Sequence, residues 1–230
     1  MKIRTTLILG LTAIAVIGTS ALQTVTMKWT PKVGATYKFS MKANMVLAGM
    51  GEASVTGKIS QVVEKLDGDK VIVKISQTDS KINFGGQEME QPSSVTTEKR
   101  SSDGELIESK TDPEPQMSLS RMEAAIAFHY PTKPVAVGDS WTFTSAGKLP
   151  GTVPSEATFK YEGDEEMGGM KCYKVSYTYK ETGENKVTGS GTVWISIADS
   201  EMVKAVQAVK NCPLEGLGNF DMESTTVREK

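Results

Sequence analysis

The sequence predicts a mainly β protein. We expect an antiparallel meander duplicated into one curled sheet or half-barrel, with a β-sandwich as the alternative and one short α-helix near residues 118–129. Three observations carry this. Apolar and polar residues alternate at period two along most of the chain, as half-buried strands require. Glycine-centred turn signals interrupt the alternation. Three landmarks also recur in order: Val33-Gly34-x-x-Tyr37-x-Phe39 against Val137-Gly138-x-x-Trp141-x-Phe143, Val73-Lys74-Ile75-Ser76 against Tyr173-Lys174-Val175-Ser176, and Asp103–Ile107 against Asp199–Val203. Their offsets are 104, 100 and 96, a drift of loop-sized steps. Generic reuse of hairpin turns is the competing explanation.

The elements follow in order. In Thr36–Ala48, Tyr37, Phe39, Met41, Ala43, Met45 and Leu47 share one strand face. After the turn in AGMGE, Ala53, Val55, Gly57 and Ile59 repeat the pattern; the Asp-Gly turn in LDGDK leads to Val71, Val73 and Ile75. FGGQE and SSDGE mark two more turns around short Thr-rich strands at Val95–Lys99 and Leu106–Ser109. The helix is announced by a capping box, Ser120 to Glu123, and by Leu119, Met122 and Ile126 on one face; Pro131 stops it. Strands resume at Ser140–Ser145, Ala157–Glu162, Lys171–Lys180, Val187–Ile197, Met202–Lys210 and Phe220–Arg228. The organisation expected is a signal peptide over 1–21, one meander over 22–115, a linking helix over 116–131 and a second meander over 132–230, all in one folded unit.

The amino terminus sets the expected address. Lys2 and Arg4 precede an apolar run, Leu7–Gly18, and Thr19-Ser20-Ala21 supplies the small residues of a cleavage site. That pattern is a secretory signal, so we expect a periplasmic or secreted protein. No cysteine follows the cleavage site, which removes the lipidation signal, and no later run is long enough for a membrane-spanning helix. Loss of Lys2 and Arg4 from the 26 basic residues leaves 24 against 28 acids, net −4. That balance offers no electrostatic reason to bind nucleic acid or anionic lipid surfaces. Sparse aromatics and charged outer faces also argue against an outer-membrane barrel.

Chemistry-bearing motifs are few. The one histidine, His129, stands where a helix end and its dipole suit it without any catalytic role. No hydrolase, P-loop, zinc-protease or dinucleotide fingerprint is present. We therefore expect no enzyme, no catalytic residue, no cofactor and no metal. Methionines invite a copper reading, but Met41 and Met45 are about 13 Å apart on one strand, too far to share an ion. They suit an adaptable apolar wall instead. Tyr173, Val175, Tyr177 and Tyr179 line one face of a strand whose neighbour carries Gly189 and Gly191, where backbone approach is close or a cavity is left. Cys172 and Cys212 lie near opposite ends of their strands, which opposes the pairing an oxidising compartment favours.

The segments WTPKVGATYKFSMK, VGDSWTF, GGMKCYKVSY and GTVWISIADSEMVK resemble a family of uncharacterised exported bacterial β proteins. The overall plan is similar to the lipoprotein-carrier (LolA-like) group; that resemblance implies a curled antiparallel sheet covered by helices and a bound acyl chain. The expected function is non-enzymatic binding of an apolar or acyl-bearing ligand in the concavity of the sheet. The candidate ligand-binding residues are Tyr37, Phe39, Met41, Met45, Trp141, Phe143, Tyr173 and Tyr177. The alternative is an envelope protein-interaction or structural β protein with a dry core.

Overall fold

The computed structural model describes residues 23–114, 119–214, 216 and 218–230; the expected signal peptide lies outside them. Fourteen strands and one helix are described. Strands β1 (Thr24–Val25) and β8 (Val135–Ala136) form a small ladder that the alternation did not announce. The first meander comprises β2 (Thr36–Leu47), β3 (Gly51–Asp67), β4 (Lys70–Phe84), β5 (Gln87–Glu90), β6 (Ser94–Ser101) and β7 (Leu106–Asp112). After helix α1 (Ser120–Ile126) the second comprises β9 (Ser140–Ser145), β10 (Ser155–Met167), β11 (Met170–Glu181), β12 (Thr188–Ser196), β13 (Met202–Leu214) and β14 (Gly218–Arg228).

All but β1 and β8 belong to one 12-stranded antiparallel sheet, ordered β9-β10-β11-β12-β13-β14-β2-β3-β4-β6-β7, with β5 paired to β4. The chain enters at the centre on β2 and steps outward to the β7 edge. It crosses by way of α1 to the opposite edge at β9, then steps back until β14 pairs β2. The sheet is not closed into a barrel, and its single layer excludes the sandwich.

It is strongly curled. The β6–β7 turn and the β12–β13 turn stand six strand spacings apart, roughly 29 Å in a flat sheet. Yet Tyr130 touches both: its N–H donates to the Asp103 carbonyl at 2.8 Å, and its hydroxyl donates to the Ser200 carbonyl. Nearby, the carboxylate of Glu201 accepts from Trp29 Nε1 at 2.8 Å and from Gln61 Nε2 at 3.1 Å, tying β3 to the same turn. One end of the curl is thereby pinched shut by Trp29, Tyr130 and Glu201.

A common backbone frame recurs in both meanders. Gly34 N–H donates to the Val63 carbonyl and Gly138 N–H to that of Tyr161, both at 2.8 Å. Val63 N–H returns to Ala35, and Tyr161 N–H to Asp139. Bulges follow at Val63/Lys65 and at Tyr161/Gly163, and again at Lys99/Arg100 and Trp194/Ile195. Ladder pairings then superpose the halves residue by residue. They match Val73 with Val175, not with Tyr173, because the β10–β11 hairpin is two residues longer on each strand between bulge and turn. A two-residue slip preserves the face, so alternation alone did not reveal it.

The main core lies in the second meander, where Phe159, Tyr161, Val175, Val193 and Val209 are fully buried. Removing each such side chain from water contributes about 1.5–3 kcal/mol. Helix α1 lies on the inner face of β11–β13. Ala125 rests on Gly189, where an added Cβ would come within 2.7 Å of the Ala125 carbonyl oxygen. Leu119, Met122 and Ile126 pack on the core as their spacing predicted. The capping box does not form: Leu119 is the N-cap residue, without a side-chain cap bond, because Ser120 is already helical. The Arg121 guanidinium instead anchors the helix to the buried Glu181 carboxylate, with Nε at 2.9 Å. Glu181 also accepts from Val187 N–H at 2.8 Å. Cys172 and Cys212 are free, buried in different clusters at opposite ends of β11 and β13.

Candidate inner-face site

The frame that the two meanders share makes their inner faces comparable position by position. In the second, one row across the sheet reads Trp141, Phe159, Tyr177, Gly191 and Gln207. The corresponding row of the first reads Tyr37, Gln61, Ile75, Thr96 and Thr111. Adjacent rows replace Tyr179 and Gly189 by Gln77 and Ser94, and Val193 and Ala205 by Glu98 and Ser109; Ile195 gives way to Arg100. The second inner face is aromatic and aliphatic and is filled by α1. The first has a half-buried apolar floor of Met41, Ile59 and Ile75 beside a hydrogen-bonding wall on β6 and β7.

Within that wall, Thr96 and Thr111 hydroxyls bond at 2.9 Å. Arg100 is held by Glu98 through Nε at 2.6 Å and Nη2 at 2.5 Å, with only 12% of the Glu98 side chain exposed. Glu123, on the solvent side of α1, is exposed. Even so, the surrounding protein pushes its carboxyl pKa up by desolvation, Glu98 adds to the rise and Arg100 opposes it.

The candidate residues separate into several groups. Trp141, Phe143 and Tyr177 come together in the main core: Trp141 stacks on Phe159 at 5.5 Å, and Tyr177 lies 5.7 Å from the same ring. Phe143 stacks on His129 at 3.5 Å, and Tyr173 meets Tyr161 edge-on. Tyr37 and Phe39 sit in a separate buried cluster with Trp29, Val63 and Val73. Met45 packs against the main core, while half-buried Met41 lies between Thr226 and Gly57 on the inner face. No single pocket gathers all eight. The space expected beside Gly189 and Gly191 is occupied by Ala125 and the Tyr177 ring, and Gln207 donates both to the Tyr177 hydroxyl at 2.9 Å and to the Ile126 carbonyl at 2.8 Å.

His129 lies three residues beyond the helix, buried, so the helix dipole does not explain it. Desolvation lowers its pKa to about 4, which keeps the ring neutral. Among the described residues no group of three or more His, Cys, Asp or Glu is placed to hold a metal ion. No helix among them is long and apolar enough to cross a membrane. On the opposite, outer face a cavity of about 700 Å³ opens over Asn44, Glu52, Ser54, Asn83 and Glu223, and Met45 alone of the eight candidates borders it.

Fold and site together define an open antiparallel half-barrel, covered by a helix over one half and with Met41, Ile59 and Ile75 only half-buried in the other. Solved structures to which the chain is similar include the following. One is a protein assigned as exported, with a YmcC-like fold, from Bacteroides fragilis: 12% identity, 90% of this chain and 99% of that one, TM-score 0.31. The second is a protein assigned as a lipoprotein from Parabacteroides distasonis: 14% identity, 90% and 99% coverage, TM-score 0.35. The third is DynF from the dynemicin biosynthesis pathway of Micromonospora chersina: 10% identity, 91% and 85% coverage, TM-score 0.25. No protein-family model and no curated protein matches the chain. At these identities and scores no role passes from the neighbours to this chain.

Proposed function

We propose that this is an exported, non-enzymatic protein that holds an amphipathic, acyl-bearing ligand on the unfilled inner face of its first meander. One observation carries the reading. Two meanders share a backbone frame, but only one has its inner face covered by α1; the other leaves Met41, Ile59 and Ile75 half-buried beside a polar wall. Burial of apolar surface, at about 25 cal/mol per Å², supplies the affinity, and no covalent step is involved. Export rests on the Lys2, Arg4 and Leu7–Gly18 pattern.

Native mass spectrometry of residues 22–230 purified from a bacterial periplasm, followed by solvent extraction, tests it. A stoichiometric lipid adduct is the expected result. A clean apo mass, with no uptake of the uncharged probe N-phenyl-1-naphthylamine, overturns the reading. That outcome would favour an envelope protein-interaction role. The outer-face cavity supports this second reading, since exposed Val46 borders it among polar side chains.

A further inference from the structure

We propose that β7 is a docking edge for a second copy of this chain, pairing antiparallel with its own counterpart about a two-fold axis at Ser109. This stands independently of what the inner face holds. β7 ends the sheet on one side: β6 is its only strand partner. Among the described residues, Leu106–Asp112 makes no backbone hydrogen bond to any other segment. The N–H and C=O groups of alternate residues therefore point away from β6 with nothing to receive them, which is the template another strand completes. No proline interrupts the strand, and its register with β6 is regular from Glu108 to Asp112.

The charges on the strand select the partner. Glu108 and Lys110 stand two residues apart on the outer face, both exposed, and neither has an ion-pair partner in its own chain among the described residues. Lys99, opposite Glu108 on β6, is turned to Asp67 at 3.4 Å. A two-fold axis perpendicular to the sheet and passing between the two copies of Ser109 sets each Glu108 against the Lys110 of the other copy. One symmetric contact thus yields two opposite-charge pairs. Ile107, 38% exposed, comes opposite Thr111 of the second copy. A slip of two residues either way fails: an axis at Glu108 opposes the two glutamates, and an axis at Lys110 opposes the two lysines and sets Glu108 against Asp112. A lone edge lysine would repel its own copy, whereas Glu-x-Lys complements itself in this one register. The opposite edge, β9, carries no charged residue, and its Trp141 and Phe143 are tied inward to His129.

Sedimentation velocity of the protein purified from a bacterial periplasm, at low salt and from about 10 μM to about 0.5 mM, tests this. A concentration-dependent dimer is expected. Glu108→Lys alone and Lys110→Glu alone should each weaken it about tenfold or more, and the double exchange should restore it. An equimolar mixture of the two single variants should also dimerise, since every lysine of one copy then faces a glutamate of the other. That rescue separates a broken contact from a broken fold. A chain that stays monomeric throughout overturns the proposal. So does a dimer indifferent to either single reversal, or a mixture that stays as monomeric as its components.

Discussion

The second meander carries the main core, whereas the first has a smaller buried cluster and a half-buried Met41, Ile59 and Ile75, although both are built on the same backbone frame. The difference comes from a few inner-facing positions. Gly189 and Gly191 on β12 let α1 and the Tyr177 ring approach the sheet, whereas Ser94 and Thr96 at the matching places on β6 do not. Once the helix settles on one half, aliphatic and aromatic partners bury there. Among the described residues no second helix covers the other half, and its inner face carries side chains that tolerate water. A sheet frame thus specifies where side chains point, and the residue sizes at two glycines decide which half is filled.

Exchanging those residues is the most drastic way to break the contrast. A Cβ at Gly191 would lie 2.5 Å from the Val206 carbonyl oxygen and 2.8 Å from the Tyr177 ring. Gly191→Thr, which installs the residue of the first meander, should cost about 4 kcal/mol or prevent folding. The reciprocal Thr96→Gly loses the hydroxyl bond to Thr111 and some strand propensity, about 1–2 kcal/mol. Urea denaturation of both variants measures the asymmetry, and equal losses would mean that α1 does not depend on the glycines. Next in size is Arg121→Ala, which leaves the Glu181 carboxylate buried without its cation and should cost about 3–5 kcal/mol.

A third effect appears only in acid and belongs to the filled half alone. His129 has a pKa of about 4 in the fold, against 6.5 for the free side chain. Between those values the unfolded chain binds the extra proton, so the native state is favoured as pH rises and loses that stability as pH falls through the window. The loss attributable to this residue should be about 2–3 kcal/mol at pH 4.5. His129→Phe keeps the stack on Phe143 and removes the titration. Subtracting its urea stability profile from that of the unsubstituted protein should leave a component that declines from pH 6.5 to 4, and a flat difference would place His129 in contact with water.

Much of the fold was legible because its signals are local. Period-two alternation and glycine turns located the strands of both meanders, with Ser140–Ser145 matching β9 at both ends. The pairing of β14 with β2 was not legible, since nothing local to either strand names a partner as distant in sequence as Phe220 is from Leu47. It is this pairing that makes one sheet instead of two. For the site, alternation reports which residues share a face but not whether anything covers it. Trp141, Phe143 and Tyr177 therefore read as ligand contacts when α1 and the segment after it had already claimed them. Gln77, Thr96, Glu98 and Arg100 were passed over, although SVTTEKRS is polar on both faces of its strand. A strand like that, inside a meander and not at its edge, signals an inner face that meets water.

The smallest effect on stability is the most informative about the first meander. Phe39 and Met41 are neighbours on one face of β2, yet Phe39 is 3% exposed within the Trp29 cluster while Met41 is half-buried and belongs to none of the buried clusters. Phe39→Ala should cost about 3–5 kcal/mol whether or not a ligand exists. Met41→Ala should cost only about 1 kcal/mol, because a half-exposed thioether surrenders little buried area. If the unfilled face holds an acyl chain, Met41→Ala should nevertheless lower the retained lipid or bound N-phenyl-1-naphthylamine severalfold in protein that remains fully folded. A Met41→Ala protein with unchanged retention would remove the floor from the site. A loss of several kcal/mol would instead place Met41 in a packed core, and the two halves would then differ only in polarity and not in whether they are filled.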